Sequence, residues 1–579
     1  MRYCLFTFSI ALLFIPGFSI AQQGDALNAE EKILFNAKIF TSDLKQPYAE
    51  AVFIHGKKII AAGNLDEVKR FASKQVVLID MKGGCVLPGL IDSHTHAVEG
   101  GDGLLKANLF DDLVDIKQLS DYVKQVKENK KQMTGDFVLI DGINISLWAQ
   151  LGEVKSVFDN GEYENQPVWL RGSDGHTSWA NKAALKRAGI DKQFIESLKG
   201  EDVNYFGFDS NKEPNGFITE RGQRKIDAVL PQDEIDYDKS AEKALEYNNA
   251  FGITAWLDPS SGNTTNKTAK ILLAYAHMAE QKKLTAHVAT TIVANADADP
   301  QPQIDFIKSL QKKYNQPNVS VLGFKIFADG VVEHPTHTAA LSKPYIGTNS
   351  KGVLMYNAEK FKHFVIAADK QNILVHVHAI GDRAVTKTLD GFEAARRANP
   401  NSRLPHTITH MQFVLPKDFA RFKELNALAS LQLLWAFGDV TTIDIVKPYM
   451  DPELYQYQYP ARSLLQAGTI ICGASDWPVS TANPFEAIYN AETRRGPKGV
   501  LDSTQCVPRT AMLQAYTINA AKALLQEKNI GSIEAGKSAD LILIDRDILT
   551  ADAQSFKESK IVWTMFEGHI VYKQKNINH

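Results

Sequence analysis

Two histidines separated by one residue follow a short apolar run early in the chain. His94 and His96 come directly after Leu90 and Ile91. Because side chains alternate between the two faces of a strand, we expect both imidazoles on the same face, where they can hold one metal ion. Taken alone, such a pair is more often a solvated strand end. A metal site therefore requires further ligands from later strands.

Further polar residues do come at the ends of later strand-like runs. They are Lys325, His378, His410 and Asp476. Imidazole and carboxylate groups suit zinc or a related divalent ion. A lysine ammonium has no lone pair, so Lys325 becomes a ligand only if carbon dioxide converts its amine to a carbamate, which can bridge two metal ions. Without that modification we expect a single ion, bound by His94, His96, His378 and Asp476.

Several polar residues near these ligands allow more than one interpretation. His376 shares a strand face with His378 and is the alternative ligand, although the context HAIGD after position 377 favours His378 and places His376 deeper. His176, Asp329 and Trp435 are candidate substrate contacts. The alternatives are an ordered loop for His176, a turn for Asp329 and core packing for Trp435.

A barrel of eight strands would bring these distant residues together. Strand-like apolar runs begin near Leu90 and continue at residues 252–258, 286–292, 321–327, 373–378, 407–410, 428–432 and 469–476. Helix-compatible segments separate most of them, which predicts an α/β fold with a (β/α)8 TIM barrel. The carboxyl ends of barrel strands meet at one rim, where active sites lie.

The remaining segments predict a second domain and an insertion. Short strand-like runs at both ends predict a small β-sandwich made from residues 22–88 and 531–579. The barrel domain then spans 89–530. Residues 104–250 are too many for a βα loop, so we expect an inserted lobe over the barrel mouth.

Composition is typical of a globular protein. The chain has 579 residues, 44% of them hydrophobic and 23% charged, with a formal net charge of -3. This balance gives nucleic-acid binding no electrostatic support. We expect a small-molecule substrate as the partner, and whether copies of the chain associate stays open.

The amino terminus has the pattern of a secretory signal. Arg2 precedes an apolar run from Leu5 to Ile15, and Ser19-Ile-Ala21 fits a cleavage site. We therefore predict that residues 1–21 are removed, that the mature chain begins near Gln22 and that it is periplasmic or secreted. An uncleaved anchor is the alternative. After cleavage we expect no stable membrane insertion.

The combined motifs resemble the amidohydrolase superfamily. The resemblance rests on residues 87–96 (LPGLIDSHTH), 324–330 (FKIFADG), 378–384 (HAIGDRA), 475–479 (SDWPV) and 531–541 (GSIEAGKSADL). Together with residues 171–181 (RGSDGHTSWAN), they point to the amidohydrolase-3 branch, which includes N-substituted formamide deformylases. The resemblance covers roughly residues 30–575.

This resemblance implies a role for each residue. His94, His96 and Asp476 would bind the more buried metal ion, His378 and His410 the second ion, and carboxylated Lys325 would bridge the two. Asp476 would be the catalytic base and acid, taking a proton from the bridging hydroxide and passing it to the leaving nitrogen.

We therefore expect a metal-dependent amidohydrolase that hydrolyses a non-peptide C–N bond in an amide, formamide or cyclic amide. Zinc or another divalent metal is the expected cofactor, with two ions per chain if Lys325 is carboxylated. The alternatives are a deaminase, esterase or isomerase with the same fold, or an inactive secreted binding protein. Deaminases of this architecture place an acid close to the fifth-strand histidine, whereas Ala379 and Ile380 follow His378.

Overall fold

The computed structural model of the protein describes residues 26–109, 113–231 and 235–574. The predicted signal at residues 1–21 lies outside the described residues. Within these ranges, no helix is long and apolar enough to span a membrane.

The centre of the molecule is a sheet of eight parallel strands. They are β1 (Leu90–Asp92), β2 (Ile253–Asp258), β3 (His287–Val293), β4 (Val319–Phe327), β5 (Leu374–Ala379), β6 (Thr407–His410), β7 (Leu428–Leu431) and β8 (Ile470–Gly473). They pair in sequence order from β1 to β8. The ends of β8 and β1 also meet, because Ser93 N donates to Gly473 O at 3.0 Å and Asp476 N donates to His94 O at 2.9 Å. The predicted α/β barrel fold is confirmed.

Side chains alternate between the inner and outer faces of each strand, and the inner ones fill the barrel. In β5, Leu374 belongs to the cluster that fills the barrel interior, together with Leu428 of β7 and Cys472 of β8. Val375 and Val377 belong to the core between the strands and the surrounding helices. His376 and His378 share the inner face with Leu374, so successive inner positions rise from the apolar floor towards the rim.

Helices surround the barrel and connect its strands. The longer ones are Tyr237–Ala250, Lys270–Glu280, Pro300–Tyr314, Ala358–Lys370, Asp382–Ala398, Pro416–Glu424, Ala461–Gln466 and Pro484–Thr493. Several have side-chain caps: Asn357 accepts from Glu359 N and Lys360 N, and Asp299 precedes a helix that begins with Pro300. Shorter helices are Leu65–Lys69, Pro452–Tyr455, Arg509–Gln514, Ala520–Ala523 and Ala553–Lys557.

Two sheets made from both ends of the chain form the β-sandwich. One contains Glu31–Phe35, Ala51–His55, Lys58–Gly63 and Val77–Asp80, and the other contains Lys38–Phe40, Tyr48–Ala49, Cys85–Pro88, Leu541–Ile544, Ile561–Phe566 and His569–Lys573. A shared core includes Val52, Val86 and Trp563. The sandwich contacts the barrel through His287 Nε2, which lies 2.9 Å from Asp540 Oδ2.

The chain between β1 and β2 contains a separate lobe. Its five-stranded sheet consists of Val138–Ile143, Val168–Gly172, Thr177–Ala180, Phe206–Phe208 and Pro214–Thr219. The helices in this segment are Ala97–Leu105, Ile116–Glu128, Leu151–Phe158, Lys182–Arg187, Lys192–Ser197 and Arg224–Asp227. Asn181 caps one of them by accepting from Ala184 N at 3.0 Å. Its amide also donates to the carbonyls of Phe158, Tyr163 and Gln166, so one buried side chain ties three segments of the lobe together.

Candidate metal centre

The carboxyl ends of five barrel strands bring the predicted ligands to one place. Asp476 Oδ1 lies 3.2 Å from His94 Nε2 and 3.4 Å from His96 Nε2. Its other oxygen, Oδ2, lies 3.9 Å from His410 Nδ1. Lys325 Nζ lies 3.4 Å from His94 Nε2. These residues are up to 382 positions apart in sequence, so only the barrel brings them into contact.

The donor set fits a divalent metal ion. One ligand atom from each of His94, His410 and Asp476 lies within 4.8 Å of the others, and all three residues are buried. Among the described residues, Asp476 Oδ1 and His96 Nδ1 are buried and have no hydrogen-bond partner. A buried carboxylate oxygen that faces two imidazole nitrogens without a hydrogen bond is costly, unless a cation lies between them. Nitrogen and oxygen donors of this kind match zinc and related ions.

His378 lies beside this group with a different immediate partner. Its ring centroid is 4.5 Å from that of His410. Its Nε2 is 3.2 Å from the carbonyl oxygen of Gly330 and 3.6 Å from Asp329 Oδ1. If His378 binds a metal ion through Nε2, this nitrogen must give up its contact with the Gly330 carbonyl oxygen. This predicted ligand lies at the cluster but outside the set of three closely spaced donors.

Two buried polar residues that the sequence interpretation missed hold the ligands in place. Gln432, at the end of β7, has Oε1 at 3.1 Å from His410 Nδ1. Asp92 Oδ1 accepts from His94 N at 3.0 Å and from Ser475 N at 3.1 Å, so it joins the ends of β1 and β8. Both follow a rule that was available from the sequence, since each is a polar residue at the end of an apolar strand. Metal-binding histidines commonly have such partners.

Charge and burial set the protonation states of the cluster. Burial would raise the pKa of Asp476, but His410, His96 and Lys325 outweigh burial and lower it, so the side chain is a carboxylate. Burial lowers the pKa of Lys325 to about 7, although Asp476 opposes the shift. Near neutral pH Lys325 therefore has a substantial fraction of neutral amine, which is the nucleophilic form.

A cavity of about 980 Å³ opens above the cluster and is lined by His96, Lys325, His378, His410 and Asp476. Trp435 is in its wall, with its ring nearly parallel to that of His410 and Nε1 donating to Ser480 Oγ at 3.1 Å. His176 reaches it from the lobe, and its Nδ1 lies 3.1 Å from Glu220 Oε2. Two of the three candidate substrate residues thus border the cavity.

Asp329, the third candidate, lies behind the cavity wall. It is buried and accepts from Ile380 N, Gly381 N and Ala340 N at 2.8–2.9 Å. Its carboxylate therefore holds the segment after β5 against the loop after β4. The structure gives this side chain a positioning role behind His378 rather than a place at the cavity surface.

Other aromatic and histidine side chains also differ in whether they reach the cavity. Trp148 lines the cavity and donates from Nε1 to Thr177 Oγ1 at 2.7 Å. Trp179 is buried in the lobe and donates to Asn215 O. His334, on the long loop after β4, also lines the cavity and stacks on Tyr449 at 4.0 Å between ring centroids. His334 lies in a loop without periodicity, so these contacts could not be inferred from the sequence.

Comparisons with known proteins identify a family and several relatives. A sequence model described as "Amidohydrolase family" matches residues 77–572. The N-substituted formamide deformylase of Arthrobacter pascens is 26% identical over 94% of this chain and 98% of its own length. The Arabidopsis thaliana protein LONG AFTER FAR-RED 3 is 28% identical over 88% of this chain and 86% of its own length.

Solved structures show the same fold. The crystal structure of an uncharacterized metal-dependent hydrolase from Pyrococcus horikoshii has a TM-score of 0.67, with 23% sequence identity over 90% of this chain and 99% of that chain. At this identity the likeness concerns the fold alone.

Proposed function

Because this chain belongs to the amidohydrolase family, we propose that it is a metal-dependent enzyme that hydrolyses the C–N bond of an amide, formamide or cyclic amide. The observation that carries the proposal is the convergence of His94, His410 and Asp476, of which His410 and Asp476 line one large cavity and His94 lies buried beside them. The name of the formamide deformylase relative supports the choice of bond.

Two metal ions are the proposed cofactor, with zinc as the first choice. His94, His96, His378, His410 and Asp476 would hold them, together with a carboxylated Lys325. A bound divalent ion supplies a Lewis acid for the substrate carbonyl and lowers the pKa of water. Carboxylation joins the Lys325 amine to carbon dioxide and releases one proton. The buried, partly neutral amine of Lys325 supports this reaction, since its pKa is lowered to about 7 by burial.

Asp476 is the proposed proton carrier. Its carboxylate is ionised, because His410, His96 and Lys325 overcome the effect of burial on its pKa. Oδ1 has no hydrogen-bond partner among the described residues and is free to accept a proton. In hydrolysis it takes the proton of the attacking water and delivers it to the leaving nitrogen, which departs as a neutral amine.

The cavity favours a substrate larger than a simple formamide. Its volume of about 980 Å³ is at the upper end of the usual range for small-molecule sites. Aromatic side chains from different segments contribute to its wall, namely Trp148, Phe217, Trp435, Phe437 and Tyr489. We propose that they bind an apolar portion of the amide, while His176 and Trp435 help to orient it.

Export to the periplasm or the medium is part of the proposal and is supported by the sequence of residues 1–21. A full-length chain expressed in bacteria should be recovered outside the cytoplasm with Gln22 at its amino terminus. Recovery of the intact chain in the cytoplasm would contradict export without affecting the proposed chemistry.

A substrate screen with metal-loaded protein tests the reaction. The panel should contain N-substituted formamides, acyl-amino acids, dipeptides, cyclic amides, esters and aminopurines. We expect release of an amine from at least one amide class, with loss of activity after chelation and in Asp476→Asn. Exclusive turnover of esters or aminopurines, or full activity in Asp476→Asn, would contradict the proposal.

A further inference from the structure

A second buried histidine lies against His94 on the side away from Asp476. His376 Nε2 is 2.6 Å from His94 Nδ1. The two rings stack with centroids 4.9 Å apart and an angle of 27° between their planes. Both residues are fully buried. At this distance one nitrogen must donate a hydrogen and the other must accept it, so the contact fixes the tautomers of both rings.

We propose that His376 is a positioning residue that accepts a hydrogen bond from His94 Nδ1–H and thereby keeps the lone pair of His94 Nε2 directed at the metal site. The proposal rests on the proposed metal-binding role of His94. It assigns His376 to the support of the site and not to metal coordination.

The direction of the hydrogen bond follows from the other side of His94. Lys325 Nζ lies 3.4 Å from His94 Nε2, and in its charged form the lysine can only donate to an unprotonated Nε2. His94 Nε2 also faces Asp476 Oδ1 at 3.2 Å, and that buried oxygen has no hydrogen-bond partner among the described residues. Nε2 is thus the nitrogen on the side of the proposed metal site, and only an unprotonated ring nitrogen can bind a metal ion. Nε2 is therefore the unprotonated nitrogen, and Nδ1 carries the hydrogen.

His376 must then accept at Nε2 and carry its own hydrogen on Nδ1. His376 Nδ1 is buried and has no hydrogen-bond partner among the described residues. An unpaired buried N–H is unfavourable. The fold retains this unfavourable group because the opposite tautomer would place a hydrogen on His94 Nε2 and block the metal side.

The groups that accept hydrogen bonds from His94 and His410 are uncharged, which affects the net charge of the site. Metal-binding histidines usually donate to a carboxylate, a backbone carbonyl or water. Here His410 donates towards the amide oxygen of Gln432, and His94 donates to the imidazole of His376. Neither partner adds a negative charge to the site, so Asp476 and the proposed carbamate remain its main anionic groups.

Variants of His376 separate a hydrogen-bond role from a packing role. His376→Gln keeps an acceptor, whereas His376→Phe keeps a stacked ring without one and His376→Leu keeps only bulk. Zinc affinity, measured by competition with a chromogenic chelator, should fall about 10- to 100-fold in the Phe and Leu variants. The Gln variant should stay near the wild type. Equal losses in all three variants, or no loss in the Phe and Leu variants, would overturn the proposal.

His406→Phe is the matched control. His406 is also fully buried, immediately precedes β6 and bonds to Asp369 at 3.0 Å, away from the metal centre. It should lose stability and keep its zinc affinity. A loss of zinc affinity equal to that of His376→Phe would show a general effect of barrel damage and overturn the assignment.

The metal-free wild-type protein gives a reading that does not depend on hydrolysis or on the Phe and Leu variants. In ¹⁵N-histidine-labelled protein, the His94 Nδ1 signal should be that of a protonated nitrogen and the Nε2 signal that of an unprotonated one, with His376→Gln used for assignment. A proton on His94 Nε2 would overturn the proposal even if the enzyme hydrolyses amides. The correct tautomer in a chain that binds no metal would instead contradict the proposed function.

Discussion

Two histidines at the base of the barrel, His406 fully buried and His287 partly buried, should have opposite effects on how stability depends on pH. His287 lies 2.9 Å from Asp540 of the sandwich. Burial disfavours its charged form, but Asp540 outweighs burial, and the pKa of His287 is raised. His406 accepts from Val375 N at Nδ1 and donates from Nε2 to Asp369 as a neutral ring. Burial lowers the pKa of His406, and Asp369 opposes that shift.

The sign of each effect follows from proton binding. A raised histidine pKa means that the folded state holds the proton more tightly, so the stabilisation by His287 is complete below about pH 6.5 and is lost as pH rises through the folded pKa. The lowered pKa of His406 has the opposite consequence. Its contribution is complete above about pH 6.5 and is lost as pH falls towards the folded pKa.

The magnitude follows from the contacts. His287→Gln removes a hydrogen bond to a charged group, which is worth about 1.5–3 kcal/mol. Asp540 keeps two hydrogen bonds, because Ser538 Oγ and Glu567 N both donate to its Oδ1, and only Oδ2 loses the contact with His287. We therefore expect His287→Gln to lower the free energy of unfolding by about 2 kcal/mol at pH 6 and by less at pH 9.

Urea denaturation of wild type, His287→Gln and His406→Gln at pH 5, 6, 7, 8 and 9 provides the assay. The difference between wild type and His287→Gln should shrink as pH rises, and the difference for His406→Gln should shrink as pH falls. Two variants with the same pH trend would refute this account of the two histidines.

Three other changes have defined expectations. Gln432→Leu removes the acceptor for His410 Nδ1 and should weaken zinc binding about 10- to 100-fold by chelator competition, whereas unchanged affinity would exclude that role. Asn181→Ala removes five hydrogen bonds, four of them buried; it should destabilise the lobe by at least about 2 kcal/mol, visible as faster proteolysis within residues 113–231 and not within the barrel. Trp435→Ala opens the cavity wall and should raise KM for the best amide more than it changes kcat, and a selective loss of kcat would contradict a binding role.

The sequence was sufficient to predict the barrel, because each strand is a short apolar run and polar residues mark its carboxyl end. The runs near Leu90 and at 373–378 differ from the observed strands by only a few residues. The family resemblance identified by the motifs was also confirmed. Periodicity and strand ends are local properties, so they can be recognised without knowing which strands become neighbours.

Contacts between distant segments could not be predicted in the same way. Asp329 was a candidate substrate contact because it follows a ligand strand, but N–H groups from the segments at 340 and 380 surround its carboxylate. His376 and His94 meet across the barrel interior, 282 positions apart. Trp148 and Trp179 have similar sequence surroundings, yet only the first borders the cavity. Only the folded arrangement distinguishes such cases.

The most direct test of the central claim is an anomalous diffraction measurement on crystals grown with zinc and bicarbonate, combined with amide hydrolysis by the same preparation. We expect metal density beside His94, His410 and Asp476, continuous density beyond Lys325 Nζ for a carbamate, and hydrolysis that stops on chelation. A chain that hydrolyses amides with no metal in this cluster would contradict the central claim.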